Sequence, residues 1–166
     1  MAKAVALGSV FCILALATLA HCHAPEVFDV EGNVYCDPCR VLFETKLSHK
    51  IAGATVKLEC LDAITSNITY SVESVTDSNG HYKLSVKGDH ADNICQVTLT
   101  KSPDADCSEP MEGLETDKIV CTENSGIHSH VRYANPLGFM TKHSIEGCKE
   151  VLDELGLAPE DLDFQT

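Results

Sequence analysis

The chain has 166 residues, is 44% hydrophobic and carries a formal net charge of −13 at pH 7. A surface this acidic repels phosphate backbones and anionic lipid headgroups, so we expect neither nucleic acid nor a membrane among its partners. The hydrophobic content also argues against intrinsic disorder, and the length suits a single domain with a modest core.

The N-terminal residues have the features of a secretory signal peptide. Lys3 provides a positive charge, and an almost unbroken apolar run extends to Ala20. Small residues suited to cleavage end at Ala20 and again at Ala24, and we favour the first because the second would leave a proline at the new N-terminus. The run is too short and wrongly flanked for a membrane anchor. We therefore predict a signal peptide at residues 1–20, a secreted domain at residues 21–166 and an extracellular location.

Alternation of apolar and polar residues predicts β-strands along most of the remaining chain. Residues 55–60, 81–87 and 95–100 alternate most cleanly. Asn79-Gly80 is a strong turn signal, so strands 67–75 and 81–87 are expected to be adjacent and antiparallel. The positions predicted to point inward in two of these strands are Val56, Leu58, Cys60, Tyr82, Leu84 and Val86. Shorter strands are predicted at 28–31, 34–36, 118–122 and 127–133.

The other segments complete the predicted fold. Residues 103–117, rich in proline and acidic residues, are expected to form a long exposed loop, and residues 135–138 to interrupt the strand pattern. One helix is predicted from Ser144, which can cap it, to Leu155, with Gly156 suited to its exit. The sequence thus predicts an all-β fold: a single disulfide-bonded, antiparallel β-barrel or sandwich of about seven strands with one C-terminal α-helix.

Cysteines that follow both cleavage sites should mostly be paired in an oxidising compartment. Cys60 and Cys95 hold inward positions on clean strands, so a bridge between them is expected. Cys36 and Cys39 differ in strand parity and would point to opposite faces, which favours separate partners over a bridge to each other. The candidate partners are Cys107 and Cys148.

One further cysteine is left over. Cys121 follows Ile119 at inward spacing in a predicted strand, and we expect a buried, inert free thiol there. Pairing with Cys22 is open to it only if cleavage leaves that residue in the mature chain.

Residues 31–40, Glu-Gly-Asn-Val-Tyr-Cys-Asp-Pro-Cys-Arg, resemble the signature of the Ole e I-like family of plant pollen proteins, Glu/Gln-Gly-x-Val-Tyr-Cys-Asp-x-Cys-Arg. The resemblance continues along the chain and is strongest to allergens of the goosefoot type. The further matching segments are 53–60, 75–77, 101–103, 107–109 and 135–140. The resemblance implies a secreted, often N-glycosylated β-barrel protein without catalytic residues. The disulfides it implies are Cys36–Cys107, Cys39–Cys148 and Cys60–Cys95.

The resemblance also implies a role in pollen. Some family members are implicated in pollen hydration and pollen-tube growth through receptor kinases, and many bind human IgE. A receptor-kinase ectodomain or a cell-wall polymer is therefore the expected partner, with IgE in sensitised people. Residues 103–117 and the acidic C-terminal tail are expected to provide the contact surface, because loops on rigid scaffolds commonly carry recognition.

Cys36-Asp37-Pro38-Cys39 has the Cys-x-x-Cys spacing of thiol–disulfide oxidoreductases, and such an enzyme is the alternative function. Redox motifs of this kind begin a helix in a βαβ unit, whereas this one ends a predicted strand, so we favour a structural role. We predict no catalytic residue and no cofactor.

Two other patterns concern metals and glycans. His128 and His130 share a predicted strand face with Arg132 and could hold a metal ion or sense pH. A solvent-facing strand edge is the preferred interpretation, because no third ligand is near, and we predict no metal site. Asn67-Ile68-Thr69 is a standard N-glycosylation sequon, and Asn93-Ile94-Cys95 is a rare alternative form.

Overall fold

In the computed structural model, which describes residues 27–157, the chain forms two β-sheets and one short α-helix. The elements are β1 (Val27–Asp37), β2 (His49–Lys50), β3 (Thr55–Asp62), β4 (Ile68–Val75), β5 (His81–Lys87), β6 (Asn93–Lys101), β7 (Cys107–Pro110), β8 (Thr116–Ile119), a 3-10 turn (Glu123–Ser125), β9 (Val131–Tyr133), β10 (Leu137–Thr141) and α1 (Cys148–Glu154). Within this range no helix is long and apolar enough to cross a membrane. The predicted signal peptide, Cys22 and most of the acidic tail lie outside the described residues.

Strand β1 organises the first sheet because it pairs with four other strands. Its first half pairs with β5 antiparallel and with β9 parallel. Its second half pairs with β2 antiparallel and with β10 parallel, in the register Val34↔Leu137. Strand β7 extends the sheet beyond β10. Segment 31–40, which carries the family signature, therefore begins inside the strand that joins the parts of this sheet.

The second sheet is antiparallel throughout, in the order β4–β3–β6–β8. Its inner face packs on the inner face of the first sheet, and side chains from both make one core. The six residues predicted to point inward from β3 and β5 are at most 1% exposed, which confirms those predictions. Period-2 alternation was sufficient here because one face of each strand is buried and the other is solvated.

The two sheets form a sandwich and do not close into a barrel. Strands β4 and β5 lie side by side, as predicted from Asn79-Gly80, but they belong to different sheets and do not pair with each other through their backbones. Where a backbone ladder would close the barrel, the Tyr70 hydroxyl donates to the Ser85 carbonyl and accepts from the Lys87 N–H, both at 3.3 Å. A side chain thus bridges the gap between the sheets.

Residues 103–117 do not form one long loop as predicted, because β7 lies within them and β8 begins at Thr116. Residues 137–141 form β10 where an interruption was predicted. These strands are short and depend on partners far away in the sequence, so local patterning does not mark them. Gly138 permits the pairing, since a Cβ there would lie 1.5 Å from Cε of the buried Met111. The described chain consequently has ten strands, several of them very short.

The C-terminal helix is present, but it begins at Cys148 rather than at Ser144. Gly147 has φ +92, in the left-handed region, which prevents the helix from extending toward the N-terminus. The preceding segment is instead held against the first sheet, where the Ile145 N–H donates to the Pro38 carbonyl at 3.1 Å.

The glycine of the signature segment has a packing role. Gly32 pairs with Tyr82 across β1 and β5. The Tyr82 ring lies directly over the glycine, so that an added Cβ would be 2.4 Å from Oη and 2.6 Å from Cζ. A strand glycine covered by a cross-strand aromatic ring is a known stabilising arrangement. Any side chain at position 32 would displace a fully buried tyrosine.

Candidate functional site

The segment after β1 is organised by the side chain of Asp37. This carboxylate is 0% exposed, and it accepts four backbone hydrogen bonds. Oδ1 accepts from the N–H groups of Cys39 and Arg40, both at 2.9 Å, and Oδ2 accepts from those of Val41 and Leu42, both at 2.7 Å. A buried charge is tolerated only when it is fully hydrogen-bonded, and four donors match the four lone-pair positions of a carboxylate.

These four N–H groups converge because two residues adopt an unfavourable backbone conformation. Arg40 has φ 59 and Leu42 has φ 65, both in the left-handed region that non-glycine residues avoid. Alternation of right- and left-handed residues points successive N–H groups into one concavity, the anion-binding arrangement known as a nest. Here the anion is the protein's own carboxylate. We call residues 37–43 the Asp37 loop.

Two disulfides fix the base of the Asp37 loop. Cys36 is bridged to Cys107 on β7, and Cys39 is bridged to Cys148 at the start of α1. The Arg40 guanidinium adds polar contacts to the same neighbours, since it donates to the Glu109 carboxylate and to the Thr141 carbonyl. The loop is therefore attached to β7, β10 and α1 as well as to its own strand.

The far side of the Asp37 loop carries apolar side chains into solvent. Leu42 is 48% exposed and Phe43 is 38% exposed. The chain after them returns to β2 through a turn in which the Thr45 N–H donates to the Ser48 hydroxyl at 2.9 Å. Strained backbone of this kind persists only where its surroundings over-determine it, and it is concentrated at functional sites. We therefore regard the loop as the candidate interaction site.

The Cys-x-x-Cys spacing at its base does not form a redox pair in this structure. Cys36 and Cys39 are each bonded to a different distant cysteine, and the segment between them is a turn rather than a helix start. The parity argument also does not apply to this pair, because β1 ends at Asp37 and Cys39 lies in the turn. The chain turns between Cys36 and Cys39, and the Asp37 carboxylate stabilises that turn, so the two cysteines reach different partners.

The remaining cysteines between residues 27 and 157 lie in the second sheet and at its edge. Cys60 and Cys95 are directly opposite each other on β3 and β6 and are bridged. Cys121 follows β8; it is a free cysteine, 2% exposed, and burial raises the pKa of its thiol to about 11. A thiol with so high a pKa is almost entirely protonated at neutral pH and reacts slowly.

The predicted solvent-facing strand edge of His128, His130 and Arg132 is only partly correct. Strand β9 begins at Val131, so the two histidines precede it, and both are exposed. Arg132 is 5% exposed instead. Its guanidinium donates to the Val120 carbonyl at 2.9 Å and lies over the Phe28 ring, 4.8 Å from the centroid.

The glycosylation sequon lies at the β3–β4 connection, residues 62–67, which we call the Asp62 loop. Asn67 is exposed just before β4, and its carbonyl accepts from the Asp62 N–H at 2.9 Å. Asn93, of the rare alternative form, starts β6, and the cysteine of that triplet is in a disulfide.

Sequence reasoning did not identify Asp37 as the centre of a site. The available signal was the Asp-Pro pair at a strand end, since aspartate side chains often accept from N–H groups a few residues on. Nothing local predicts that Arg40 and Leu42 would be left-handed, because arginine and leucine disfavour that conformation.

The sequence profile of the family described as "Pollen protein Ole e 1 like" matches residues 26–156. The chain belongs to this family. The anther-specific protein LAT52 of Solanum lycopersicum is 61% identical over 159 residues, which cover 96% of this chain and 98% of that protein. Pollen allergen Che a 1 of Chenopodium album, a goosefoot, is 44% identical over 149 residues, 88% of each chain. The tomato protein is thus more similar to the chain than this goosefoot allergen.

A solved structure of a pollen allergen supports the fold. The crystal structure of the major plantain pollen allergen Pla l 1 aligns with a TM-score of 0.66 and 38% identity, covering 74% of this chain and 99% of the plantain protein. The predominantly β architecture of this chain is therefore similar to that of a pollen allergen. Relatives of this kind are described as anther-specific proteins, pollen-specific proteins or pollen allergens.

Proposed function

We propose that this protein is secreted and acts in pollen as a non-enzymatic extracellular ligand. Its partner would be the ectodomain of a receptor kinase, with a cell-wall polymer as the other candidate, and the contact surface would be the Asp37 loop. The role would lie in pollen hydration or pollen-tube growth. The proposal moves the contact surface away from residues 103–117, because six of those fifteen residues are engaged in β7 and in the start of β8.

The single observation that carries this proposal is the rigid display of Leu42 and Phe43. Two apolar side chains stand in solvent on a loop whose backbone is fixed by a buried carboxylate and by disulfides to β7 and α1. A surface that is ordered before binding loses little conformational entropy when a partner covers it. Apolar and aromatic side chains at the centre of a contact commonly dominate its affinity.

The charge distribution around the loop supports a protein partner more than a wall polyanion. The chain carries a net charge of −13, so an acidic polysaccharide would be repelled over most of the surface. The basic residues near this surface are Arg40 in the loop and Lys46 and Lys50 in the segment after it. Each forms an ion pair with a glutamate carboxylate. An apolar contact surrounded by side chains whose charges are neutralised in pairs suits a groove on a receptor ectodomain.

The test is binding of purified variants to a panel of recombinant pollen receptor-kinase ectodomains, measured by biolayer interferometry. The double variant Leu42→Ser/Phe43→Ser should weaken binding at least tenfold with an unchanged melting temperature. Ile64→Ser is the matched control, since Ile64 is 92% exposed on the Asp62 loop, where no disulfide fixes the connection. Equal affinities for wild type and the double variant would reject the Asp37 loop as the contact. Binding only to immobilised wall polymers, sensitive to the same double variant, would reject the receptor.

The competing redox enzyme is tested by insulin reduction with the same preparation. The ligand proposal expects no turnover, because Cys36 and Cys39 are held in two separate bridges. Turnover that is lost in Cys36→Ser would replace the ligand hypothesis.

Two further properties belong to this proposal. An N-glycan on Asn67 is supported by the exposure of that residue next to β4 and by the sequon. Intact-mass analysis before and after enzymatic deglycosylation, with Asn67→Gln as control, tests its occupancy. Binding of IgE from sensitised people is supported by relatives named as pollen allergens, and inhibition assays with sera from such patients test it.

A further inference from the structure

The outer face of the second sheet carries an apolar row at the end nearest the Asp62 loop. Leu61 on β3 is paired with Ile68 on β4 and with Ile94 on β6, so the three side chains are cross-strand neighbours. They lie on the outer face, because Cys60, the residue before Leu61, is fully buried on the inner face. Ile68 is 58% exposed and Ile94 is 47% exposed, with Leu61 half-buried between them. We call these three residues the outer row.

A β-bulge places Ile68 in this row. Tyr70 is paired with Cys60 and packs against the core, and Ile68, two residues earlier, would share that inner face in a regular strand. A register shift just after Cys60 makes Thr69 an extra residue on β4 and turns Ile68 outward. The Thr69 hydroxyl donates to the Cys60 carbonyl at 3.0 Å, which stabilises the bulge. The exposure of Ile68 therefore follows from the strand pairing itself.

The outer face beside the row is polar. On β3 the preceding outward residues are Lys57 and Glu59, whose side chains form an ion pair of 2.6 Å. On β6 and β8 the hydroxyl oxygens of Thr98 and Thr116 lie 3.2 Å apart. Three large aliphatic side chains in such a setting form an exposed apolar patch, and β4, which carries one of them, is an edge strand of its sheet. Edges of this kind are commonly protected against pairing with other chains.

The glycosylation sequon adjoins the outer row. Asn67 directly precedes Ile68, and it is exposed. Its backbone is held at the start of β4, since its carbonyl accepts from the Asp62 N–H at 2.9 Å. Neighbouring strands are about 4.8 Å apart, so the row extends only about 10 Å across the sheet from Ile68. A short chain of sugars on Asn67 spans that distance.

We propose that an N-glycan on Asn67 lies back across the outer row and covers Leu61, Ile68 and Ile94. This inference rests on the glycosylation proposed above and adds the protein surface that the sugars contact. A sugar ring presents C–H groups on its faces, and these pack on aliphatic side chains while the hydroxyl groups stay in water. The glycan would thus shield the apolar row and the edge strand β4 from other molecules.

A second copy of this chain is a less suitable occupant of the outer row. The net charge of −13 makes two copies repel each other. A glycan attached one residue from Ile68 would also stand between the two copies, because N-glycans are bulky and solvated. The position of the sequon therefore favours the chain's own sugars over another protein surface.

The experiment measures whether the glycan and the outer row depend on each other. The mature protein is purified from a plant expression host, and intact-mass analysis establishes whether Asn67 is occupied. Melting temperatures are then measured before and after enzymatic removal of the glycan in wild type, in Ile68→Thr/Ile94→Thr and in Val75→Thr. The double variant leaves the sequon intact. Val75→Thr is the matched control, since Val75 is 60% exposed at the other end of β4.

Removal of the glycan should lower the melting temperature of wild type by about 3 °C, because the outer row then returns to water. Val75→Thr should show the same shift, and the double variant less than half of it. The amidase that removes the glycan leaves an aspartate at position 67 in every protein, so the added charge cancels in the comparison. ANS, a dye that binds exposed apolar surface, should gain fluorescence on deglycosylation of wild type but not of the double variant.

Three results would overturn the proposal, and they can be told apart. Equal shifts in wild type and the double variant, with Asn67 occupied, would leave the glycosylation standing and reject the contact with the outer row. An unmodified Asn67 in the intact mass would reject the glycan together with this inference. Concentration-dependent dimerisation of the glycosylated protein that the double variant abolishes would assign the row to a second copy of the chain.

Discussion

Two loops of this protein are each organised by an aspartate, and they differ in what surrounds that aspartate. In the Asp62 loop, the Asp62 carboxylate accepts from the N–H groups of Ile64 and Thr65, at 3.1 and 2.7 Å, and Ser66 is left-handed with φ 58. The Asp37 loop has the same ingredients: a carboxylate centre, left-handed residues without a glycine and exposed apolar side chains.

The difference lies in burial and covalent attachment. Asp37 is 0% exposed and its loop is tied to β7 and α1 by disulfides, whereas the Asp62 loop connects two neighbouring strands and its aspartate is partly exposed. The hydrogen-bonded turn is thus common to both loops, and rigidity comes from what is attached to it. An exposed apolar residue such as Ile64 marks a recognition surface only if its backbone is fixed.

Removing the bridge between the Asp37 loop and α1 should have the largest effect. Cys39 and Cys148 close 109 residues, so the double variant Cys39→Ser/Cys148→Ser should lose about 5 kcal/mol of unfolding free energy in the chain-entropy estimate. Amide hydrogen exchange at residues 38–43 should become as fast as at residues 62–67. Chemical denaturation and hydrogen exchange measure the two effects. Protection that survives at residues 38–43 would show that the carboxylate alone fixes the loop.

Removing the buried carboxylate comes next. Asp37→Ala leaves four N–H groups without their acceptor in a buried position, and we expect a loss of about 3 kcal/mol. Asp62→Ala is the matched control, and its loss should be much smaller because water replaces an exposed carboxylate. Urea denaturation of both variants measures the difference. Similar losses would mean that burial does not distinguish the loops.

Relieving backbone strain should slightly increase the free energy of unfolding when it is done in either loop. Leu42→Gly removes the cost of a left-handed non-glycine residue, about 1–2 kcal/mol, and adds an unfolded-state entropy cost of about 0.5–1 kcal/mol. We expect a net stabilisation of about 0.5 kcal/mol by thermal denaturation, with Ser66→Gly as the counterpart in the Asp62 loop. A destabilised Leu42→Gly would show that the leucine side chain packs usefully in the free protein.

Acid should destabilise the Asp62 loop, and we expect this effect to be the smallest of the four. Hydrogen bonds from the Thr65 N–H, the Thr65 hydroxyl and the Ile64 N–H lower the pKa of Asp62 below its ordinary 3.8. Because the folded-state pKa is depressed, the stabilisation is present above pH 3.8 and disappears as pH falls through the folded value. The amide chemical shifts of Ile64 and Thr65 should therefore titrate below pH 3.8. The same signals in Asp62→Asn should be independent of pH in that range.

The parts of the fold that the sequence predicted well are those where one strand face is buried. Strand β5 was predicted over its whole length, and β3 and β6 nearly so, because alternation follows directly from their half-buried geometry. The crossing between sheets after β4 was missed, since a turn at Asn79-Gly80 does not determine whether the two strands it connects pair with each other. Strand β10 pairs with both β1 and β7. These partners are far apart in the sequence, so a short stretch of sequence does not reveal the pairing.

The candidate site was less predictable than the fold for a related reason. The signature segment and its cysteines were recognisable from spacing, but the Asp37 loop depends on an aspartate becoming buried and on two residues adopting left-handed backbone. Arginine and leucine disfavour that conformation on their own. Arg132 is a similar case, because its burial follows from carbonyls that the chain around β8 brings to it.

The parallel pairing of β1 with β10 has a consequence for biosynthesis. Of the described strands β1 leaves the ribosome first, yet its partner Leu137 follows Val34 by about a hundred residues, several seconds of translation. The disulfide partners of β1 and its loop also come late, since Cys107 follows Cys36 by 71 residues and Cys148 follows Cys39 by 109 residues. Until those partners are made, Cys36 and Cys39 are the nearest described cysteines to each other along the chain, so a transient Cys36–Cys39 bridge is the expected nascent species if the chain is secreted as proposed. Nascent chains stalled at residue 100 and alkylated before release would reveal it: the first strand made is the last one completed.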